Sequence, residues 1–567
     1  MKCCFILLLV SANSLAIAQP YTQYRGYFRN PLNVPMQLVS NFGELRTNHW
    51  HLGLDIRTQQ KENLPVYAAA EGYIAKISIE PGGFGRAIYI NHPNGYTTLY
   101  AHLNNFTTAL HQWVIEQQYL QQQWDIKLDV PPHLFPVNKG DFIAYSGNTG
   151  GSAGPHVHFE IRDTKSDKCV RPLLFGFPIA DAVPPTIVRL ALYDRNKSVY
   201  HQNPKLFGIK KTGSIYSLTQ GNTITTTTNR ISFAISTYDR LSGSNNPNGI
   251  YSARMIVDDE VQSEFILDNI DYNETRYMNA HIDYRLKTNG GSYVQHLSRM
   301  PGDFSNVYSL SFNNGVIDMQ DTLLHSVVIE VKDSYNNLSR MQFNLQYRES
   351  SATTPAAISP QKLIPGYVNI FETDSFELFT SEYGVYDTVN ITYTLSDVIP
   401  TNAKSPIHNF SSAAIPVHDS LTVRIKASQE VPLEWRNRII IKNISGKRTI
   451  LQKATWQGDW LSAKFRQFGS YQVFIDNQPP TFNAPGYGDT IDLRRSTRLV
   501  ISPKDNFKTI KNFRAEVNGQ WLLFTNDKGY SYIYRFDDYF PSGVSKFTVT
   551  AEDIVGNITT KNWYVRR

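Results

Sequence analysis

Short segments in which apolar and polar residues alternate follow one another along most of the chain. They are rich in Val, Ile, Thr, Tyr and Phe, and Gly, Asn, Asp and Pro separate them. Alternation with a period of two is typical of strands that bury one face, so the pattern predicts a mainly β protein. One hairpin is explicit, because residues 87–91 and 96–101 flank an Asn94-Gly95 pair that suits a tight turn.

One segment of the sequence carries a clear helical pattern, over residues 108–124. Five positions spaced three or four apart define one face, and four of them are apolar: Leu110, Trp113, Leu120 and Trp124. The fifth is Gln117. We predict that this helix belongs to an insertion at about 104–135 between two β segments. The pattern is compatible with a helix laid on the side of the sheet and with a wall or lid of a substrate groove.

The chain of 567 residues is too long for one hydrophobic core and predicts three to four domains. A Ser/Thr/Pro/Ala-rich stretch at 349–362 predicts a linker. Asp181-Ala-Val-Pro-Pro-Thr186 recurs as Asp476-Asn-Gln-Pro-Pro-Thr481, and each copy opens a β-rich segment. We therefore expect a first domain over 19–180, followed by β-sandwich modules over 181–348, 363–475 and 476–567.

The two repeated segments also end alike, with Asp333-Ser-Tyr-Asn-Asn337 and Asp553-Ile-Val-Gly-Asn557. Asp and Asn in such turns bond their own backbone and tolerate left-handed conformations. These ends resemble those of the bacterial immunoglobulin-like modules found in secreted proteins. We expect a turn rather than a calcium site, because no cluster of acidic ligands accompanies these aspartates in the sequence.

The first residues predict export. Met1-Lys2 is a short positive start, residues 5–10 are apolar, and Ala16-Ile17-Ala18 fits a cleavage site, so 1–18 is interpreted as a signal peptide. No later run approaches the ~20 apolar residues that span a bilayer. We expect a chain without a transmembrane segment after cleavage, located in the periplasm or cell envelope or released from the cell.

Charge and cysteine content narrow the function further. The formal charge of +6 is small, and Lys and Arg are scattered, which argues against a nucleic-acid partner and would suit an anionic polymer such as a cell wall. Cys169 is the one cysteine beyond the signal peptide, so the mature chain has no intrachain disulfide. We expect Cys169 to be a small buried residue rather than a nucleophile.

Histidines concentrate in the first domain, where eight of the fourteen lie between positions 49 and 158. His156 and His158 are two residues apart, so on a strand both point to one face. A Gly-rich loop precedes them and lets the backbone approach a ligand closely. A single His-x-His pair is more often two surface or core histidines, and the interpretation as ligands depends on partners elsewhere.

His51 and Asp55 are the nearest candidate partners. On a straight strand their side chains would lie roughly 13 Å apart, too far to hold one ion. We therefore expect the chain to bend near Gly53. Two imidazoles, a carboxylate and a further histidine are the donor types of a catalytic zinc site. Taken alone, His102 at the end of the hairpin is a candidate for a hydrogen-bonded structural histidine.

These residues belong to an ordered set of motifs: Asn41-Phe-Gly43, His51-x-x-x-Asp55, Tyr100-Ala-His102-Leu103, Val137-x-Lys-Gly-Asp141, Ser146-Gly-Asn-Thr-Gly150 and Gly154-Pro-His-Val-His-Phe-Glu160. The set, over about 40–162, resembles the lysostaphin-type, LytM-like zinc endopeptidases, which cleave peptide bonds in bacterial peptidoglycan. The segment between Leu103 and Pro136 is longer than the usual connection in that family, which affects the expected shape of the groove.

The resemblance implies a LytM-like β-sheet peptidase domain with one Zn²⁺ ion, held by His51, Asp55 and His158. It implies that His102 and His156 are catalytic histidines beside the reacting water, and that peptidoglycan peptides are the substrate. The β modules would then position the enzyme on a glycan or another envelope protein. The alternative is a non-catalytic relative that activates cell-wall hydrolases, or an envelope-binding protein. The presence of all five motif residues favours the enzyme.

Overall fold

The computed structural model describes residues 21–349, 361–396, 399–400, 402–529 and 531–567, and strands dominate it. The predicted mainly β fold is confirmed. The predicted signal peptide and all of the predicted linker except residues 349, 361 and 362 lie outside the described residues. No helix in the described part of the chain is long and apolar enough to cross a membrane.

An antiparallel sheet carries the first region of the chain, and its core is apolar on both faces of the central strands. Its main strands follow one another across the sheet in this order: Leu38–Ser40, Leu54–Arg57, His156–Asp163, Tyr96–Ala101, Arg86–Asn91, Gly72–Ile79 and Ile126–Asp129. The predicted hairpin is present, with Asn91 opposite Thr97 across the turn. A second, three-stranded sheet contains Pro65–Tyr67, Phe142–Ser146 and Leu103–Phe106.

The insertion at 104–135 is only partly helical. Its helix spans Thr108–Gln121 and ends where Gln122 takes a left-handed backbone conformation (φ 50°), before the predicted end at 124. The strand Ile126–Asp129 then pairs with Gly72–Ile79 and extends the main sheet by one strand. The insertion therefore contributes an edge strand as well as a helix.

The helix lies on the side of the β structure, but it buries a different stripe from the predicted one. Its buried residues are Leu110, Val114 and Gln118, spaced four apart, whereas Leu120 is 76% exposed. The amide of Gln118 is satisfied by the carbonyl of Trp124. Gln118 is polar, so an apolar stripe drawn from hydropathy leaves it out. The predicted buried face is therefore rotated around the helix axis relative to the observed one.

The second region of the chain continues the sheet of the first. The strand Asn269–Ile270 pairs with Cys169–Val170, which pairs with His156–Asp163. Arg171 follows this contact and is fully buried, and its guanidinium donates to the carbonyls of Leu267 and Ile250 at 2.7 Å each. The two regions therefore share hydrogen-bonded backbone rather than only a surface contact.

Most strands of the second region form one curled sheet whose two halves face each other, with Phe233 against Phe343 at 5.2 Å between ring centroids. Two short helices, Met278–His281 and Tyr284–Thr288, lie beside it. The sheet order is Gln295–His296, Arg230–Tyr238, Thr186–Asp194, Lys205–Thr212, Ile215–Leu218, Leu338–Tyr347, Leu324–Lys332, Ser252–Val257, Glu260–Ile266 and Tyr308–Ser311, with Thr223–Thr226 and Ile317–Asp318 paired beside it.

The third region is a sandwich of two five-stranded sheets, and Phe376 packs between them against Tyr471. One sheet contains Asn369–Glu372, Phe376–Thr380, Pro416–Lys426, Trp460–Gln467 and Thr455–Gln457. The other contains Tyr393–Ser396, Ile407–Phe410, Gly469–Ile475, Ile439–Ser445 and Arg448–Lys453.

The fourth region is built around a five-stranded sheet with its own core. The sheet contains Thr490–Asp492, Ile558–Arg566, Val544–Asp553, Ile510–Val517 and Gln520–Trp521, and the shorter pairs are Arg498–Ile501 with Tyr532–Arg535 and Thr481–Phe482 with Pro503–Lys504.

The fourth region returns to the first and contacts the inserted helix. Tyr119 stacks on Tyr539 with ring centroids 3.6 Å apart and donates a 2.8 Å hydrogen bond to Asp537. Lys528 of the fourth region also donates from Nζ to the carbonyls of Gly150 and Ser152 at 3.2 and 3.1 Å. The insertion thus serves as a docking point for the end of the chain.

Candidate metal centre

Three side chains of the first region converge on one point. His51 Nε2 lies 3.0 Å from Asp55 Oδ1 and 3.0 Å from His158 Nδ1, and His158 Nδ1 lies 2.9 Å from Asp55 Oδ1. All three residues are buried, and their donor atoms form a near-equilateral triangle. Ligands held about 2.0–2.1 Å from a tetrahedral ion are separated by about 3.3 Å, so the triangle is close to the size that one small ion requires.

Strand pairing explains the convergence. Asp55 and His158 are directly opposite each other in the antiparallel pair of Leu54–Arg57 with His156–Asp163. His51 precedes this strand, and the chain changes direction over residues 51–53, as the expected bend near Gly53 requires.

Gly53 itself has an ordinary negative-φ backbone, so it is not needed for the bend. A Cβ at this position would lie 2.6 Å from the carbonyl oxygen of Phe159 and 2.8 Å from Cε1 of His158. Glycine is required because the backbone passes directly over a candidate ligand.

Hydrogen bonds on the far side of each imidazole set the direction of its lone pair. Nδ1 of His51 donates to the carbonyl of Asn41 at 2.8 Å, so Nε2 faces the triangle as an acceptor. Nε2 of His158 donates to Glu160 at 2.8 Å, so Nδ1 faces the triangle. Outer-shell partners of this kind fix both tautomer and ring orientation in metal sites.

Glu160 is the centre of a buried network behind His158. Its other carboxylate oxygen accepts from Nε of Arg162 at 2.8 Å, and the hydroxyl of Tyr272 donates to Oε1 at 2.6 Å. Burial raises the pKa of Glu160, but Arg162 and His158 outweigh this and lower the pKa to about 2. The carboxylate is therefore ionised at neutral pH and is a strong acceptor for the His158 proton.

Charge in the triangle favours a cation. Burial raises the pKa of Asp55, but the surrounding histidines, His51 first, hold it well below its usual range. Burial lowers the pKa of His158, but hydrogen bonds to Asp55 and Glu160 outweigh this and raise it to about 9. Asp55 and Glu160 therefore stabilise positive charge at His158, and a metal ion held by the triangle would replace the proton on Nδ1.

The other two predicted site residues, His102 and His156, lie side by side next to the triangle, with ring centroids 4.7 Å apart. Nδ1 of His102 donates to the carbonyl of Thr149 at 2.9 Å, and Nδ1 of His156 donates to the carbonyl of Gly154 at 2.8 Å. Each ring therefore carries its lone pair on Nε2. For His156 this atom lies 3.5 Å from Asp55 Oδ1.

His102 takes a backbone conformation that non-glycine residues rarely adopt (φ 60°), between the strands Tyr96–Ala101 and Leu103–Phe106. Such strain costs about 1–3 kcal/mol and is concentrated at functional sites. Burial, followed by the neighbouring imidazoles His158 and His156, lowers the pKa of His102 to about 3. His102 is therefore a neutral base over most of the pH scale.

The five residues open into a cavity of about 1160 Å³. Its walls come from the first region, including Phe84 and the loop 151–155, and from the second region, through Tyr272 and Thr275. Within the described part of the chain, no residue of the helix Thr108–Gln121 lines this cavity. The helix is therefore not a wall of this cavity, and the simpler expectation, a helix beside the sheet, describes it.

The hydrogen-bond partners behind His158, Glu160 and Tyr272, were not predicted from the sequence. Glu160 stands in the quoted motif without a role, although a carboxylate two residues after a histidine on a strand shares its face. Tyr272 carries no sequence signal, because the contact joins residues of two different regions. Cys169 is buried as expected, and burial, with Glu160 next, raises its thiol pKa well above the usual value, so it is not an activated nucleophile.

Comparison with known families identifies two parts of the chain. Residues 49–135 match the model of Peptidase family M23, a range that includes His51, Asp55 and His102 and ends before His156. Residues 361–476 match the model of the Zu5-like domain, which covers the third region.

Each of three relatives matches between 25% and 28% of this chain. The chain is 30% identical over 166 residues to an uncharacterized metalloprotease of Haemophilus influenzae, covering 28% of this chain and 29% of the relative. It is 33% identical over 145 residues to the DD-carboxypeptidase/endopeptidase Mpg of Neisseria meningitidis, covering 25% and 27%.

A third relative is the peptidoglycan DD-endopeptidase ShyA of Vibrio cholerae, with 26% identity over 166 residues and coverage of 28% and 32%. The chain thus spans less than a third of the length of each of these three relatives.

Proposed function

From the Peptidase family M23 domain in the first region of this chain, we propose a secreted zinc-dependent endopeptidase that hydrolyses peptide bonds in peptidoglycan stem or bridge peptides. The observation that carries the proposal is the triangle of His51, Asp55 and His158, with the imidazoles of His102 and His156 beside it. A donor triangle beside free bases is the arrangement that metal-assisted hydrolysis requires.

The donor set fits zinc. Two imidazole nitrogens and one carboxylate oxygen are the usual ligands of a catalytic site with three protein ligands, which leaves a position open. The second nitrogen of each ligand imidazole is already committed to Asn41 or Glu160, so both lone pairs are directed inward. When bound there, zinc supplies Lewis acidity that polarises a peptide carbonyl and acidifies a water.

His102 and His156 supply the proton transfers in this proposal. An imidazole whose Nδ1 donates to a backbone carbonyl can accept a proton from the attacking water at Nε2, and the resulting imidazolium can donate to the developing oxyanion or to the leaving amine. Both rings are held by backbone carbonyls, so little reorganisation is needed when the proton moves.

The shape of the site suits an extended peptide. The cavity runs between the first region and the second-region residues Tyr272 and Thr275, and it is open to solvent. Two of the relatives are named as endopeptidases, one of them for peptidoglycan, which supports peptidoglycan peptides as the substrate. The predicted signal peptide supports delivery to the periplasm or envelope, where this substrate lies.

Two measurements test the proposal. Metal analysis of the purified protein is expected to give one zinc per chain, and mass spectrometry of peptidoglycan digests is expected to show released muropeptides. His158→Ala removes a proposed ligand and is expected to abolish both. His133→Ala, which changes an exposed histidine outside the triangle, is the matched control and is expected to alter neither.

The alternative of a non-catalytic activator gives a different result. In that case the wild-type protein would release no muropeptides from purified peptidoglycan, even with full zinc, yet would raise the activity of an added hydrolase. That outcome would overturn the proposed reaction. Absence of zinc, with no gain of activity when zinc is added, would overturn the metal assignment.

A further inference from the structure

Two clusters of three aspartates lie at equivalent places in the second and fourth regions. In each cluster, one carboxylate oxygen from every member lies within 4.8 Å of the others. The members are Asp181, Asp239 and Asp333 in the second region, and Asp476, Asp505 and Asp553 in the fourth.

The fold assembles these clusters from residues that the sequence keeps apart. The repeated motifs supply the first and third members, and the second member comes from a strand end that no repeat marks. Asp239 follows the strand Arg230–Tyr238, and Asp505 follows Pro503–Lys504. The folded chain therefore contains two acidic clusters that are not visible in the sequence, and their apparent absence was the reason for expecting no calcium site.

The third member of each cluster is fixed by its own turn, as predicted. Asp333 accepts from the backbone of Asn337 at 2.9 Å and from its side-chain amide at 2.7 Å. Asp553 accepts from the backbone of Asn557 at 2.9 Å and from its side-chain amide at 2.7 Å. Each turn holds one carboxylate rigidly against the other two.

The other members carry buried oxygens without hydrogen-bond partners among the described residues. These are Oδ1 of Asp239, which is 3% exposed, and Oδ2 of Asp476, which is fully buried, together with Oδ2 of Asp181 and Oδ1 of Asp505. A buried polar atom without a partner costs free energy, and a buried carboxylate costs more.

A neutral polar side chain lies across a backbone bridge from one member of the first cluster. Asn248 is directly opposite Asp239 in an isolated antiparallel bridge, so both side chains project to one face. Asn248 is 3% exposed, and its amide oxygen also has no partner within the described part of the chain. An unpartnered amide oxygen on the same face as an unpartnered carboxylate oxygen suits a cation that prefers oxygen donors.

Electrostatics point the same way. Burial first, and then Asp333 and Asp181, raise the pKa of Asp239 to about 8. Burial, with Asp505 and Asp553, raises the pKa of Asp476 to about 6 against its hydrogen bonds. Like charges this close destabilise one another, and a cation between them removes both the repulsion and the missing hydrogen bonds.

We propose that each cluster binds one hard divalent cation of the calcium class, through the orphaned carboxylate oxygens and the turn aspartate. All donors are oxygens, with no nitrogen or sulfur ligand among the three members of either cluster, which selects calcium over zinc. Calcium also accepts irregular geometry and completes its shell with water or carbonyl oxygens, whereas magnesium demands a near-ideal octahedron.

Both clusters lie where one region meets another. Tyr335, in the turn that begins at Asp333, packs on the core of the first region. The carbonyl of Val555, in the turn that begins at Asp553, accepts hydrogen bonds from Arg438 and Lys453 of the third region. A cation bound at each cluster would therefore stiffen the junction between two regions, and both clusters are distinct from the proposed metal site at His51, Asp55 and His158.

Equilibrium dialysis of the full-length protein against calcium tests the proposal, after divalent ions have been stripped and zinc restored. We expect two calcium ions per chain, with affinity on the order of 0.1–1 mM as in other extracellular modules. Asp239→Asn and Asp505→Asn are each expected to lower this to one, and the double variant to none. Asp374→Asn, an exposed aspartate of the third region, is the control and keeps two.

Thermal unfolding with and without calcium supplies a second measurement. If the aspartates only held the fold together, the unfolding midpoint would not depend on calcium. Calcium is expected to raise the midpoint of the wild type by several degrees and to leave the double variant unchanged, while without calcium the double variant melts no lower than the wild type. Fewer than two calcium ions bound by the wild type at 5 mM would overturn the proposal. Zinc content and muropeptide release are measured in parallel, so its failure is separable from failure of the peptidase assignment.

Discussion

The hydroxyl of Tyr272 donates a 2.6 Å hydrogen bond to Glu160, and Glu160 accepts the outer proton of His158 at 2.8 Å. A residue of the second region therefore orients a proposed metal ligand of the first. The second region therefore contributes a residue to the proposed metal site.

Tyr272→Phe tests this relationship. The ring and its packing against Phe84 remain, but Glu160 loses one of its hydrogen bonds. Outer-shell changes typically lower metal affinity 10–100-fold, and because Arg162 still holds Glu160 we expect about tenfold. Zinc competition with a chromophoric chelator measures the change. Unaltered zinc affinity and unaltered turnover would show that the second region does not tune the site.

His102→Ala separates the base from the ligands. His102 does not belong to the donor triangle, so the variant is expected to bind zinc normally. A general base typically contributes ~10²–10⁴ in rate, and we expect turnover on purified peptidoglycan to fall by that factor. Metal analysis and muropeptide release are measured on the same sample. Full turnover in the variant would exclude His102 from the reaction.

Gly53→Ala tests the close approach of backbone to ligand. A methyl group there meets the carbonyl of Phe159 and the ring of His158, so either the strand or the imidazole must shift. We expect a loss of roughly 1–3 kcal/mol in stability, with weaker zinc binding. Gly154→Ala is the matched control, because a Cβ at Gly154 meets nothing within 4 Å, and its thermal midpoint should equal that of the wild type.

Tyr119→Ala tests the docking of the fourth region on the inserted helix. The variant loses the stack on Tyr539 and the hydrogen bond to Asp537, with an expected loss of roughly 1–3 kcal/mol at this contact. Limited proteolysis should then cut between the third and fourth regions faster than in the wild type. Leu120→Ala changes the exposed neighbour, and equal proteolysis of the two variants would contradict the assignment of this contact.

His92 predicts acid sensitivity of the first region. It is buried, and burial lowers its pKa from 6.5 to about 4 despite a hydrogen bond to the carbonyl of Glu71. The folded state binds this proton more weakly than the unfolded state. The contribution of His92 to the free energy of unfolding is therefore fully present above pH 6.5. It declines as the pH falls towards 4, by up to about 3 kcal/mol.

His92→Gln removes this titration. Denaturant unfolding at pH 7 and pH 4.5 is expected to show a smaller loss of stability on acidification in the variant than in the wild type. Equal losses in the two proteins would place the acid sensitivity elsewhere, for instance in the buried His281 of the second region.

The proposed site was largely predictable because its five residues stand in short motifs in or next to strands, and a spacing of two on a strand places His156 and His158 on one face. His51 and Asp55 needed only a bend between them, and the bend is present. The hydrogen bonds between regions were not predictable, since Tyr272 reaches Glu160, and Lys528 reaches the carbonyls of Gly150 and Ser152, only through tertiary packing. The same holds for the aspartate clusters, whose middle members Asp239 and Asp505 have no signal in the sequence.

The helix shows a different limit of sequence patterns. Hydropathy placed Leu120 inside and ignored Gln118, whereas the folded chain buries Gln118 and satisfies it with the carbonyl of Trp124. A polar side chain can occupy a core when its hydrogen bonds are local. Its periodicity then contributes nothing to an apolar stripe, and the helix orientation is set by what the remaining faces contact.

The strand Asn269–Ile270 pairs with Cys169–Val170 and so closes an edge of the first region's sheet. A fragment that ends near residue 180 would leave that edge with unpaired amides and carbonyls. The buried guanidinium of Arg171 would also lose its acceptors, the carbonyls of Ile250 and Leu267. Open edges template association between molecules. The first region on its own is therefore a poor choice for expression, and a shortened chain should retain the second region as well.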